Sequence, residues 1–386
     1  MPELSLPDET RVGEPLPIQL SGGPTMDEVS VRLTVTDDAG RELNAQTIYR
    51  TTTDGDLDTT KANVVRGPDI GGRLPLSQVR PEEEYQFPYA IFDESEQVSI
   101  AVSAKVDDEM YRGDTTRTLV DSGVTVDSLG ADDADSDLFR PPGDGPHPGA
   151  VFLSGGDDID QARQVEMLAT AGVAVLVPDH HDDESADLSL ASVTQAVDQL
   201  AARDDVQTPV SLFGAGRGTE AAALVGASHD AVDTVAGYAP SAYAFPGIDG
   251  AAEFVSPISL PDEESESGDD DGPAPSRFQR AIDEADFESM EAAALPWADI
   301  ETVTVVSGGH DTVWPATAFC ERITMWRDQA DRDTTHVDHP DGGHGIVEPY
   351  HDYRERVAGF GGSALGDAEA AIDAWPVVLD TLRADR

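Results

Sequence analysis

The chain has 386 residues, enough for two domains with a sizeable core in the larger one. It carries 76 Asp and Glu against 24 Lys and Arg, a formal net charge of -52, and only Lys61 and Lys105 are lysines. This surplus argues against a nucleic-acid partner, because such binding depends on cationic contacts with phosphate. At about 1 M salt the screening length falls to roughly 3 Å, so a surface this acidic is typical of a salt-accumulating halophile. Hydrophobic residues make up 39% of the chain and fall into regular runs, which disfavours an acidic disordered chain.

Composition also sets expectations for covalent chemistry and location. The single cysteine, Cys320, excludes an internal disulfide and a Cys-based zinc site. The sequence has neither a signal-peptide pattern at its start nor an apolar run of membrane-spanning length. We therefore expect a protein of a high-salt cytoplasm with no membrane partner, and we predict no cofactor and no metal site. The oligomeric state cannot be predicted from these features.

Residues 1–125 alternate between apolar and polar side chains and are punctuated by turns. Residues 29–36 read as a strand, 37–40 as a turn and 41–51 as the returning strand. A second hairpin is predicted from residues 98–106 and 110–119. Short strands without helices between them favour an Ig-like β-sandwich of about seven strands.

The pattern changes after a stretch rich in proline, glycine and acidic residues, which predicts a linker and the entry into the second domain over 126–148. Over 149–386, strands alternate with helices, which indicates a mostly parallel, doubly wound sheet covered on both faces. The predicted strands are 150–154, 173–179, 210–213, 232–238 and 303–307, and predicted helices include 159–171 and 188–203. An insertion at about 240–294 interrupts the alternation with an acidic run, 261–276. This run is either a lid or a halophilic surface loop.

Residues 214–218, Gly-Ala-Gly-Arg-Gly, form a sharp turn between a predicted strand and an Ala-rich helix. In an α/β-hydrolase this turn is G-x-S-x-G and presents the nucleophile. Gly216 occupies the nucleophile position without a side chain, and neither Ser211 nor Thr219 is placed to replace it. Cys320 is expected to be a core thiol. A dinucleotide-binding turn is the alternative, but it would need glycine at Thr219 and would follow the first strand of its domain rather than the third.

Two later residues complete the chain order nucleophile, acid, histidine that α/β-hydrolases require. Asp311 follows a predicted strand, and His344 lies in a Gly-Gly-His-Gly loop. Each residue alone would be read as a turn or solvated residue. Their order and loop positions together favour an acid and base pair.

Four segments resemble the acyl-CoA thioesterase and bile acid-CoA:amino acid N-acyltransferase family: 138–149, 309–314, 343–350 and 370–375. The resemblance implies a β-sandwich followed by an α/β-hydrolase domain, and an acyl-CoA-like thioester as the small-molecule partner. It also implies that Asp311 and His344 are the catalytic acid and base. The oxyanion donors would be the backbone N–H of Arg217 and that of Gly155 or Gly156.

The chain departs from this family at the centre of the elbow, where family members carry Cys or Ser. Gly216 cannot form an acyl-enzyme. Two hypotheses therefore stay open. The protein is a thioester hydrolase or acyltransferase with weak activity, in which His344 activates water directly, or it is a catalytically inactive relative that binds an acyl ligand or a partner.

Overall fold

The computed structural model describes residues 2–83, 87–129, 136–155, 161–178, 188–261, 276–354 and 357–384. The chain divides into two compact units. The first comprises Met1–Gly123 with Glu348–Asp352, and the second comprises Val124–Val347 with Tyr353–Arg386.

The described residues of the first unit form strands and one short 3₁₀ helix, Pro75–Gln78. The strands are β1 (Glu3–Ser5), β2 (Glu9–Arg11), β3 (Gln19–Ser21), β4 (Glu28–Thr36), β5 (Glu42–Arg50), β6 (Leu57–Asp58), β7 (Val64–Arg66), β8 (Arg80–Pro81), β9 (Gln97–Val106) and β10 (Glu109–Thr118). One sheet has the order β2-β10-β9-β4-β5-β7 with β8 paired to β5, and a second has the order β1-β3-β6.

The period-two pattern accounts for the pairing within the larger sheet. In β4 every second side chain is buried, so one face belongs to the core and the other does not. β4 pairs with β5 and β9 pairs with β10, both antiparallel, as the two predicted hairpins require. The first unit is thus built from two β-sheets. The assignment of this unit to the Ig-like class stays a prediction.

The second unit is built on an eight-stranded sheet. Its strands are β11 (Thr125–Leu129), β12 (Ser136–Arg140), β13 (Gly149–Leu153), β14 (Ala174–Pro178), β16 (Val210–Ala215), β17 (Val232–Tyr238), β19 (Thr302–Gly308) and β20 (Thr335–His339), and a small parallel pair comprises β15 (Leu188–Ser189) and β18 (Ile248–Asp249). The sheet order is β11-β12-β14-β13-β16-β17-β19-β20. From β14 to β20 all neighbours are parallel. All residues of β13 and β16 are buried, as expected for a parallel sheet covered on both faces.

The helices of this unit are α1 (Ala162–Thr170), α2 (Leu190–Ala201), α3 (Gly218–Gly226), α4 (Arg277–Glu284), α5 (Phe287–Ala292), α6 (Ala316–Gln329), α7 (Val357–Phe360) and α8 (Ala364–Arg383). The side chain of Ser363 caps α8 by accepting the N–H of Gly366, and Pro376 lies inside the helix. Trp375, Leu379 and Leu382 are buried, as the apolar spacing predicts. No described helix combines the length and apolarity that crossing a bilayer demands.

The structure differs from the predicted linker at 126–148. Two strands, β11 and β12, start the sheet of the second unit, and β12 pairs antiparallel with β14. Leu138 is fully buried, but Asp127 and Asp137 occupy other positions of these strands. Acidic residues on the short edge strand β11 and on the neighbouring strand β12 concealed the period-two signal. Within the predicted insertion 240–294, β18, α4 and α5 are described, whereas most of the acidic run 261–276 lies outside the described residues.

Candidate active site

The turn between β16 and α3 has the backbone of a strained elbow. Gly216 has φ +50°, in the left-handed region that L residues enter only at a cost. A Cβ added at Gly218 would lie 2.1 Å from the Leu153 carbonyl oxygen, and one at Gly214 would lie 2.8 Å from the Gly218 carbonyl carbon. The two outer glycines are therefore required by close packing of α3 against the sheet. The central position has the backbone that a nucleophile elbow gives its reactive residue.

Asp311 and His344 meet in the loops that follow β19 and β20. The Nδ1 atom of His344 lies 2.8 Å from Oδ2 of Asp311, and the two side chains are only 2% and 1% exposed. The other oxygen, Oδ1, accepts the N–H groups of Val313 and Trp314 at 2.8 and 3.1 Å. These backbone bonds orient the carboxylate toward the imidazole, which is the arrangement that fixes a histidine for proton transfer.

A series of contacts links the elbow to this pair along the carboxyl edge of the sheet. The N–H of Gly216 donates to the carbonyl of Tyr238, the last residue of β17. The next residue, Ala239, accepts a hydrogen bond from Trp314 Nε1 at 3.2 Å. The Trp314 ring then meets the His344 ring edge-on, with centroids 5.4 Å apart. The structure therefore brings positions 216, 311 and 344 to one edge of the sheet, in neighbouring loops.

The predicted oxyanion donors lie on the same edge. Arg217 is the N-cap residue of α3, where the helix presents backbone N–H groups and the positive end of its dipole. Gly155 follows β13, whose last residue, Leu153, pairs with Gly214 of β16. Gly156 lies outside the described residues. Arg217 of the elbow and Gly155 thus follow two neighbouring strands, β16 and β13.

The other candidate nucleophiles have structural roles. Ser211 is fully buried within β16. The hydroxyl of Thr219 donates to the carbonyl of Gly216 at 2.7 Å and stabilises the turn, at the position where a dinucleotide fingerprint would have glycine. Cys320 is buried in α6, and burial raises the pKa of its thiol, so it is not a thiolate at neutral pH.

An ion pair that the sequence does not indicate lies next to the elbow. Nε of Arg217 lies 2.5 Å from Oε1 of Glu220, and Oε2 of Glu220 accepts the N–H of Phe245 at 2.9 Å. The Arg217 guanidinium also donates to the carbonyl of Pro246 at 2.9 Å. Burial raises the pKa of Glu220 to about 7, and the nearby Arg217 charge opposes that rise. The pair fastens the segment after β17 to the first turn of α3.

The sequence also did not indicate the aromatic side chains that pack against His344. Phe360 stacks on the imidazole with centroids 5.8 Å apart. Trp314 packs in turn against Phe245 and Phe278. Aromatic residues dispersed over more than a hundred positions carry no local sequence signal of a common site. The Trp314 and Phe360 rings place apolar surface against the imidazole, which strengthens electrostatic interactions there.

Sheet order and site together define the class of this unit. Numbered along the chain, its strands are arranged 1-2-4-3-5-6-7-8, with a glycine-framed elbow after the fifth strand, Asp311 after the seventh and His344 after the eighth. The second unit is an α/β-hydrolase.

The family described as BAAT / Acyl-CoA thioester hydrolase C terminal matches residues 190–384, half of the chain, and the chain belongs to this family. Acyl-coenzyme A amino acid N-acyltransferases 1 and 2 of Mus musculus are each 25% identical over 186 residues, which cover 45% of this chain. The match spans only 44% of the length of each of these curated relatives. Among solved structures, a dienelactone hydrolase-like promiscuous phosphotriesterase from metagenomic libraries is 14% identical, with a TM-score of 0.43 over 68% of this chain and 99% of that one.

Proposed function

We propose that the chain acts on acyl-CoA-type thioesters and that the buried Asp311–His344 pair transfers the proton. The observation that carries this proposal is the 2.8 Å contact between two side chains almost fully withdrawn from solvent beside a nucleophile elbow. Membership of the acyl-CoA thioester hydrolase family supports the choice of substrate class.

Since Gly216 has no side chain, the attacking group is water or an amine. With Nδ1 bonded to Asp311, Nε2 of His344 takes the proton as the oxygen or nitrogen attacks the thioester carbonyl. The backbone N–H groups of Arg217 and Gly155 stabilise the oxyanion. Collapse of the tetrahedral intermediate breaks the C–S bond, and the imidazolium returns the proton to the departing thiolate. Thioester and water thus give a carboxylic acid and a thiol.

A site without the nucleophile side chain gives only part of the rate enhancement of a complete triad. General base catalysis contributes typically 10²- to 10⁴-fold, and triad knockouts in other hydrolases keep roughly 10³- to 10⁴-fold over the water reaction. We therefore expect slow turnover.

The second candidate function is acyl-ligand or partner binding without turnover. It is favoured by one specific observation, the absence of a side chain at position 216. This candidate uses the same edge of the sheet and assigns no proton transfer to His344.

A panel of acyl-CoA esters assayed at molar KCl separates the two functions, with release of free thiol as the readout. Turnover that is lost in His344→Ala supports the enzyme. The matched control is His310→Ala, because His310 is a solvent-exposed histidine of the neighbouring loop. Equal rates in the wild type, His344→Ala and buffer would leave binding as the function, which saturable protection of the wild type by an acyl-CoA would then support.

We also propose that the protein works in a high-salt cytoplasm. The net charge of -52 is the support, because self-repulsion of this size opposes the compact state in dilute buffer. A melting temperature that does not rise between 0.1 and about 2 M KCl would contradict this proposal.

A further inference from the structure

Three metal-ligating side chains converge in the first unit, which does not contain Asp311 or His344. Nδ1 of His351 lies 2.7 Å from Oδ1 of Asp93 and 3.7 Å from Oε1 of Glu348. One ligand atom from each residue lies within 4.8 Å of the other two. Within the described ranges, this is the one group of three such residues that converges in this way.

The separations match those between ligands of one small cation. Zinc holds nitrogen and oxygen ligands at about 2.0–2.2 Å, so neighbouring ligands of a tetrahedral site lie roughly 3.3–3.6 Å apart. The distances of 2.7 and 3.7 Å from the imidazole nitrogen fall on either side of that value.

The charge of the group also favours a cation. The Glu348 side chain is only 3% exposed, and the side chains of His351 and Asp93 are 19% and 31% exposed. Two carboxylates this close repel each other, and partial burial weakens screening by solvent. A divalent cation compensates both negative charges.

The backbone around the group is already ordered for binding. The N–H of Asp352 donates to Oδ2 of Asp93 at 3.2 Å, and the N–H of Phe92 donates to the carbonyl of Tyr350 at 2.8 Å. These bonds hold residues 348–352 against the loop that carries Asp93. Ligands fixed in advance lose less conformational freedom on binding.

We propose that Asp93, Glu348 and His351 bind a divalent transition-metal cation, with Zn²⁺ as the reference ion and water as the remaining ligand. An imidazole with two carboxylates suits zinc or a related ion better than Mg²⁺ or Ca²⁺, which prefer oxygen ligands alone. The metal ties residues 348–352 to the Asp93 loop and stabilises the first unit.

The experiment uses the full chain, stripped with EDTA and then exchanged into molar KCl to suppress loose cation binding by surface carboxylates. After incubation with a small excess of Zn²⁺ and gel filtration, about one Zn²⁺ per chain should be retained, with a higher melting temperature than the stripped protein. His351→Gln and Asp93→Asn should each weaken Zn²⁺ binding at least tenfold and abolish the thermal shift.

His229→Gln is the matched control, because His229 lies 3.3 Å from Asp198 in a histidine–carboxylate pair. This variant should bind Zn²⁺ like the wild type. The melting temperatures of the stripped variants show that each one folds, and the visible spectrum of bound Co²⁺ reports nitrogen and oxygen ligation directly. Equal Zn²⁺ retention by the wild type and both ligand variants, or no retention by the wild type, would overturn the proposal.

Discussion

Replacement of Gly216 by serine tests whether the elbow still has a working geometry. At φ +50° a side chain costs about 1–2 kcal/mol, so Gly216→Ser should lower stability by that amount. A correctly placed hydroxyl would restore the acyl-enzyme route, and in other serine hydrolases the complete triad is worth about 10⁶-fold in kcat. Even with imperfect alignment, we expect kcat/KM for acyl-CoA hydrolysis to rise by at least about 10²-fold.

The assay combines thiol release at molar KCl with intact-mass detection of an acylated protein. Gly216→Ala is the matched control, since it introduces the same backbone strain without a nucleophile. The gain should disappear when His344→Ala is added to Gly216→Ser. If Gly216→Ser is as stable as Gly216→Ala yet neither turns over nor becomes acylated across the panel, the inference that the elbow faces His344 is wrong.

Three further substitutions test other parts of the site. Asp311→Asn should reduce any His344-dependent turnover by at least about 10²-fold, because the carboxylate fixes the tautomer of the imidazole; a pH–rate profile identical to the wild type would contradict this. Glu220→Gln should flatten the pH dependence of stability. The folded-state pKa of Glu220, about 7, exceeds its ordinary 4.5, so the folded wild type binds more protons and loses stability as pH rises from 4.5 to 7. Thermal melts of both proteins across that window measure the difference, and parallel curves would refute it. Gly218→Ala should lower stability by several kcal/mol in chemical denaturation, because its Cβ meets the Leu153 carbonyl; Gly359→Ala, which meets nothing within 4 Å, is the control, and equal losses would exclude the packing argument.

Much of the fold could be predicted because the hydrophobic patterns are local. The alternation in β4 and the continuous apolar runs of β13 and β16 follow directly from which faces of each strand are buried. The edge strand β11 and the neighbouring strand β12 could not be found in this way. Their acidic residues are partly or fully exposed to solvent. The local sequence pattern therefore reflects the acidic surface of the whole protein and hides the alternation of a strand.

The site was predictable to a different degree. Chain order and loop position were enough to nominate Asp311 and His344, because strand ends of a parallel sheet meet at one edge. The Arg217–Glu220 pair was not, since a glutamate in an Ala-rich helix reads as solvated when the covering segment is unknown. The ligands Asp93 and His351 are 258 residues apart, and only the folded chain brings them together.

The glycines of the elbow are weaker evidence for catalysis than the Asp311–His344 pair. Gly214 and Gly218 are explained by packing alone, and a glycine at position 216 relieves the strain that a nucleophile would impose. A protein without catalytic chemistry would therefore also be stabilised by glycine at all three positions. Stability does not explain a buried aspartate bonded to a buried histidine in the same way. Well-packed apolar side chains of similar volume at the two positions are often at least as stabilising as a buried charged pair. The buried Asp311–His344 pair, rather than the elbow, is therefore the reason to look for proton transfer in this protein.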